Sequence, residues 1–173
     1  MKLKIHKMMA KHIGYGKRRS RKNIKYIVIH YTGVNGDTAK DEAKYFAEIN
    51  TRAAGAHFFV GQRGIVYKSI PMNRTAWSVG GFYTQKDGAG KYYEKCTNQN
   101  SVSIELCDNQ KRDPSKLQTI AVAQLVDYIR RYCPNAKTII RHWDVNGKEC
   151  PARMIGVKNP KWLEFRERIS GNV

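Results

Sequence analysis

Ile24-Lys25-Tyr26-Ile27-Val28-Ile29-His30, followed by the turn residues Tyr31-Thr32-Gly33, is the stretch on which the architecture turns. It is short, apolar and rich in β-branched side chains, the composition of a strand buried on both faces rather than one that alternates between core and water. Two further runs of this kind follow, Val102 to Cys107 and Lys137 to Arg141. His57-Phe58-Phe59-Val60 and Ile65-Val66-Tyr67-Lys68, joined by Gly61-Gln62-Arg63-Gly64, read as a hairpin.

Helical signals lie between these strands. Thr38 with Asp41 forms a capping box that opens a helix to Thr51 or Arg52. Asp113 as N-cap and Pro114 at the first helical position are expected to open a long amphipathic helix to about Cys133. Asn159-Pro160 opens a closing helix through Trp162, Phe165 and Ile169. Residues 69–100 show little periodicity, and a loop of that length inside a compact domain is usually functional. Strands interleaved with helices, including a hairpin, predict an α/β fold: a single domain with a central mixed β-sheet flanked by helices.

The charge is uneven. Among 173 residues, 32 Lys and Arg face 14 Asp and Glu, a net charge of +18 that favours polyanions such as nucleic acid, anionic lipid or wall polymers. Ten of the basic residues fall within the first 25 positions, which contain no acid. Residues 1–23 therefore read as a basic arm, and residues 24–173 as the folded domain. Within the arm, Ile5, Met8, Met9 and Ile13 are spaced to share one face of a short helix.

No stretch approaches the roughly 20 apolar residues of a transmembrane helix. The basic N-terminus lacks the continuous apolar core of a secretory signal, so the chain is expected to be made in the cytoplasm. Cys96, Cys107, Cys133 and Cys150 form no CxxC pair, and reduced thiols are expected, with Cys107 and Cys133 as small buried hydrophobes.

The chemistry concentrates in Arg141-His142-Trp143-Asp144-Val145-Asn146-Gly147-Lys148-Glu149-Cys150-Pro151. His30 ends one strand and His142 follows another, at the strand ends where α/β sites assemble, and Cys150 follows eight residues after His142. Two imidazoles and one thiolate suffice to hold Zn²⁺ with a fourth position open to water.

Five blocks then resemble a single family: Tyr26-Ile-Val-Ile-His-Tyr-Thr-Gly33, Ala56-His-Phe-Phe-Val60, Thr75-Ala-Trp-Ser-Val-Gly80, Asn100-Ser-Val-Ser-Ile-Glu-Leu-Cys107 and Arg141 to Pro151. They look like the zinc-dependent N-acetylmuramoyl-L-alanine amidases of the amidase-2 type, related to peptidoglycan recognition proteins, phage endolysins and autolysins. The resemblance implies one Zn²⁺ on His30, His142 and Cys150. It implies bacterial peptidoglycan as partner, cut at the amide between N-acetylmuramic acid and the L-alanine of the stem peptide. For an endolysin without a signal it implies action on the cell wall after holin-type release or host lysis.

Glu105, in a strand of otherwise apolar residues, is the expected catalytic acid and base, on the face opposite Ile104 and Leu106. Lys148 is the expected cation for the developing oxyanion. Asp144 is a candidate to orient a ligand histidine, or to cap a local turn. His57 and Trp77 are candidate groove residues, with strand packing the alternative for His57.

Two positions depart from the family's pattern. Ala56 stands where one branch has a tyrosine that assists catalysis, which shifts the proton work to Glu105. Ser78 stands where relatives often have His. A non-catalytic peptidoglycan-binding module is the first rival reading, although such relatives typically lose the zinc cysteine. A nucleic-acid-binding protein is the second, without an RNP, helix-turn-helix or zinc-finger signature to carry it. The basic arm is expected to hold anionic wall polymers instead.

Overall fold

The computed structural model describes residues 2–84 and 88–171; residues 85–87 of the long loop expected over 69–100 lie outside the described residues. Eight strands form two sheets: β1 (Ile5–Lys7), β2 (Tyr15–Arg18), β3 (Tyr26–Tyr31), β4 (Phe58–Val60), β5 (Val66–Lys68), β6 (Arg74–Ala76), β7 (Ser101–Leu106) and β8 (Thr138–Arg141). The main sheet has the order β1-β5-β4-β7-β3-β8, and β2 pairs with β6 in a separate ribbon. Strands β4, β7, β3 and β8 are mutually parallel, whereas β5 returns antiparallel to β4 as the expected hairpin. The sheet is therefore mixed, and β3 lies inside it as its composition requires.

Helices α1 (Ala39–Lys44), α2 (Lys116–Tyr132), α3 (His142–Asn146) and α4 (Pro160–Ile169) cover the sheet. Side chains alternate across each strand. Ile27, Ile29, Val102, Ile104 and Leu106 face α2 and α4, packing on Leu125, Ile129, Trp162 and Phe165. The opposite face is thinner: Val28 and Ile140 pack against Val145, and Phe59 packs against Ala39 and Ala43 of α1. The functional residues lie on this second face.

α1 begins as its capping box predicts, with Thr38 Oγ1 accepting from the Asp41 N–H at 3.2 Å. It widens into a π-helical turn (Tyr45–Ile49), which ends at Asn50. α2 starts later than expected. Ser115 is its N-cap, accepting from the Gln118 N–H at 3.0 Å, while Asp113 is drawn away to Arg153 at 2.7 Å and Lys161 at 2.8 Å. Both residues are good caps, and the two cations decide between them. All four cysteines are buried free thiols.

The N-terminal segment differs from the expected arm. β1 pairs in parallel with β5, Ile5 opposite Val66, and β2 pairs with β6. Met8 packs inward while Met9 and Ile13 are exposed, so the four apolar residues share no helical face. A short isolated helix is marginal in water, whereas the unpaired edge of β5 supplies a ladder for the same backbone groups.

Two buried polar groups tie the covering helices to the sheet. Gln118 of α2 donates from Nε2 to the carbonyls of Val60 (2.8 Å) and Cys107 (3.1 Å), joining the ends of β4 and β7. Arg141, at the end of β8, lies between Trp143 (4.5 Å to the ring centre) and Trp162 (5.0 Å). It forks onto Asp144, with Nη2 2.7 Å from Oδ1 and Nε 3.0 Å from Oδ2, and also donates to the carbonyls of Met154 and Gly156. Planar, stacked and bidentate contacts of this kind suit guanidinium, not ammonium.

Two substitutions test these ties. Gln118→Leu removes the Nε2 donor from the Cys107 carbonyl and leaves the Val60 carbonyl only the Cys107 N–H, and should cost about 1–3 kcal/mol in denaturant unfolding. Arg141→Leu strands the Asp144 carboxylate and should cost about 3–5 kcal/mol, with Arg141→Lys recovering only part of it.

Candidate metal centre and groove

Register brings the site together. In the parallel ladder, Phe59 of β4, Glu105 of β7 and His30 of β3 occupy one row, because Phe59 pairs with Glu105 and His30 with Glu105. Ile29 pairs with Arg141, so His142 stands one residue past the last paired position, beside His30 and on the same face. The two imidazole centres are 4.7 Å apart at 64°, and His30 Nδ1 lies 3.7 Å from Cys150 Sγ. One ligand atom from each of His30, His142 and Cys150 lies within 4.8 Å of the others.

The return of the chain from His142 to Cys150 is closely held. The Trp143 N–H donates to the Cys150 carbonyl at 3.0 Å, closing the loop. Gly147 ends α3 with φ = 82°, and a Cβ there would meet the Thr84 carbonyl oxygen at 2.4 Å, so this turn requires glycine. Asn146 accepts the Lys148 N–H at 3.1 Å and donates to the Gly80 carbonyl at 3.2 Å.

The electrostatics suit a cation at this cluster. Burial, then the neighbouring His142 and Lys148, holds His30 well below the usual histidine range; burial and Lys148 bring His142 to about 3. Both rings are therefore neutral with lone pairs available. His30 Nε2 and both nitrogens of His142 are buried without a hydrogen-bond partner among the described residues. Unpaired buried nitrogens are costly, which is the strongest sign that a ligand completes them. Burial and the nearby Glu105 carboxylate push the Cys150 thiol up, so a thiolate here needs a compensating positive charge. The three residues form a group able to hold a metal ion.

Glu105 lies beside them with its Oε2 buried and without a hydrogen-bond partner among the described residues. Burial, reinforced by Glu42, raises its carboxyl to about 8, with Lys148 opposing. These residues line one open groove of about 1100 Å³, with Lys148 exposed at its edge and Trp77 forming part of its wall. Trp77 is seated on Gly16: a Cβ on that residue would come within 2.6 Å of the indole.

Two expected site residues are placed elsewhere. Asp144 does not orient a histidine; its carboxylate caps the start of α3 at the Arg141 N–H (2.7 Å) and pairs with the Arg141 side chain, which outcompetes a neutral ring. His57 does not line the groove. It is fully buried, with the Ser103 N–H donating to Nδ1 at 3.1 Å and Nε2 facing the Arg74 carbonyl at 3.1 Å and Arg19 at 2.9 Å. The Ser103 bond places the ring proton on Nε2, directed at Arg74. Burial and Arg19 keep the ring neutral.

The sequence alone did not single out Glu42. It reads there as one of two acids in the first turn of α1, yet it lines the groove, and burial together with Asp37 raises it to about 7.

Residues 20–153 match the family described as N-acetylmuramoyl-L-alanine amidase, of the amidase-2 type. N-acetylmuramoyl-L-alanine amidase CwlL of Bacillus licheniformis is 28% identical over 151 residues, covering 84% of this chain and 41% of CwlL. XlyA of Bacillus subtilis (strain 168) is 27% identical over 148 residues, covering 84% of this chain and 44% of XlyA. The chain thus spans about two fifths of the length of these curated relatives. Among solved structures, PlyL superposes with a TM-score of 0.68 at 26% identity, covering 99% of this chain and 100% of that one. The catalytic domain of XlyA gives 0.71 at 23% identity, covering 96% and 99%. With the match running from just before β3 through His30, His142 and Cys150, the chain belongs to the N-acetylmuramoyl-L-alanine amidase family.

Proposed function

We propose that this chain hydrolyses the amide between the lactyl group of N-acetylmuramic acid and the L-alanine of the peptidoglycan stem peptide, as a zinc enzyme acting on the bacterial cell wall. The observation that carries this reading is the convergence of His30, His142 and Cys150, with unpaired ring nitrogens, beside the buried carboxyl of Glu105 in an open groove. Neutral imidazoles and a thiol needing a counter-charge fit Zn²⁺, one per chain. Bound there, zinc would supply Lewis acidity that activates water and polarises a carbonyl.

The chain's own groups perform the rest. Water adds to the carbonyl carbon, the C–N bond breaks, and the products are a lactyl carboxylate and the free amine of L-alanine. Glu105 takes the proton that water releases and delivers it to the departing nitrogen. A carboxyl raised to about 8 is suited to move a proton in either direction near neutrality. Lys148, at the groove edge, places positive charge where the carbonyl oxygen becomes negative. Trp77 offers an apolar wall to the substrate. A tyrosine is not needed, since Ala56 is buried and the row position next to His30 belongs to Glu105. The basic surface is proposed to favour anionic wall polymers.

Purified peptidoglycan treated with the protein should release new alanine amino termini without new reducing sugar ends, and a chelator should abolish the release. New sugar ends in place of free alanine would overturn the assignment. Glu105→Gln should keep one zinc per chain by elemental analysis while turnover falls about 100-fold or more. Cys150→Ser should lose the metal itself. Undiminished turnover in Glu105→Gln would remove that residue from the mechanism.

A further inference from the structure

At the opposite end of the parallel strands from the groove, four cations lie on neighbouring elements, and none is paired with an acid among the described residues. Lys7 of β1 and Lys68 of β5 are in-register neighbours on adjacent strands. Arg21 lies in the turn before β3, its guanidinium 5.7 Å from the centre of the Tyr132 ring. Arg19 lies behind them, donating to the carbonyls of Met72 and Asn98. Arg21 and Lys68 both line one recess, and Arg19 donates to the carbonyl of Met72, which lines it too.

Between them is a recess of about 260 Å³ lined by Arg21, Lys68, Met72, Asn73, Tyr128 and Tyr132. No carboxylate lines it, and none of the four cations forms an ion pair among the described residues. Lys68 is half-buried there; burial, then Lys7 and Arg21, pulls its ammonium below the usual lysine range.

Like charges in register on neighbouring strands repel, and partial burial weakens their hydration. A protein gains nothing in stability from this arrangement. A doubly bonding anion would reverse the balance: arginine forks onto phosphate oxygens, lysine supplies a point charge, and the Tyr and Asn side chains donate to the remaining oxygens. The volume admits a phosphate with a few attached carbons.

We propose that this recess binds the phosphate groups of a polyol-phosphate chain, the chemistry of an anionic wall polymer. The identification of that polymer with the wall rests on the amidase reading; the phosphate chemistry does not. Two cations lining one concavity, Arg21 and Lys68, with Lys7 in register beside Lys68, favour a compact repeating phosphate over the face of a duplex, which presents its charge as a stripe. The recess shares no residue with the groove, so polymer retention and amide hydrolysis occupy opposite ends of the sheet.

The test uses the full chain, with inorganic phosphate, glycerol phosphate and poly(glycerol phosphate) as probes, followed by calorimetry and by the NMR signals of Tyr128 and Tyr132. Saturable binding is expected, tighter for the polymer than for either small phosphate. The double variant Arg21→Gln/Lys68→Gln removes two charge-assisted contacts and should lose about tenfold or more in affinity, a factor that one such contact alone would supply. Lys40→Gln/Lys116→Gln, which removes the same charge from exposed sites elsewhere, should bind within about twofold of the parent. Phosphate should raise the melting temperature of the parent and of the second variant only. If the first double variant does not fold, Arg21→Gln alone, at an exposed position, carries the same comparison. Equal losses in both double variants, no saturable binding, or tighter binding of duplex DNA through the same residues would overturn the proposal. Turnover of a soluble muropeptide is scored separately: phosphate binding without turnover would sink the amidase reading alone.

Discussion

The parallel register of β7, β3 and β8 is the constraint on which the site depends. It sets Glu105, His30 and His142 side by side on the thinner face of the sheet while Ile104, Ile29 and Arg141 point to the other. Side chains alternate along a strand, so a one-residue slip of β3 would bury the imidazole against α2 and turn Ile29 toward the groove. The slip is opposed by the core itself, because Ile27, Ile29, Val102, Ile104 and Leu106 must meet the apolar face of α2. Hydrophobic packing on one face thus holds polar chemistry on the other to within the tolerance of a ladder hydrogen bond.

Much of this was legible in the chain. A β-branched apolar run cannot be satisfied in water, so Ile24 to His30 had to be an inner strand. His30, His142 and Cys150 could be grouped because strand ends and a short return loop limit where they can lie. Local capping rules placed the starts of α1 and α4 correctly, while the helix expected to reach Thr51 or Arg52 ends in the π-helical turn at Ile49. What escaped the sequence depended on distant partners. Asp113 and Ser115 are both capable caps, and only the approach of Arg153 and Lys161 separates them. Asp144 meets a guanidinium pinned between two tryptophans, and His57 meets Ser103 from another strand. The N-terminal residues have the spacing of a helix face, but the open edge of β5 offered them more hydrogen bonds than a solitary helix.

The charges of the groove are arranged around compensation. Lys148 lowers both histidines and opposes the upward shift of Glu105, while Glu42 adds to that shift. Each group is displaced from its solution behaviour in the direction that makes it useful: imidazoles left unprotonated as ligands, and a carboxyl held near neutrality as a proton carrier. The same burial that produces these shifts makes the site expensive without a cation. The neutral imidazoles and the raised Glu105 carboxyl therefore share one cause, burial in the same pocket.

The seat of Trp77 on Gly16 has a consequence beyond packing. The β2–β6 ribbon belongs to the first residues of the chain and to the long segment after β5, and it is this ribbon that supports one bank of the groove. His30 and Glu105 stand on the main sheet, and His142 and Cys150 on the return that follows β8, so the bank is mechanically separable from the clustered residues. Exchanging the leading segment would move the indole and reshape the passage while leaving the reacting row in place. Diversification of what the groove admits can thus proceed from the β2–β6 ribbon, without disturbing the His30, His142 and Cys150 cluster.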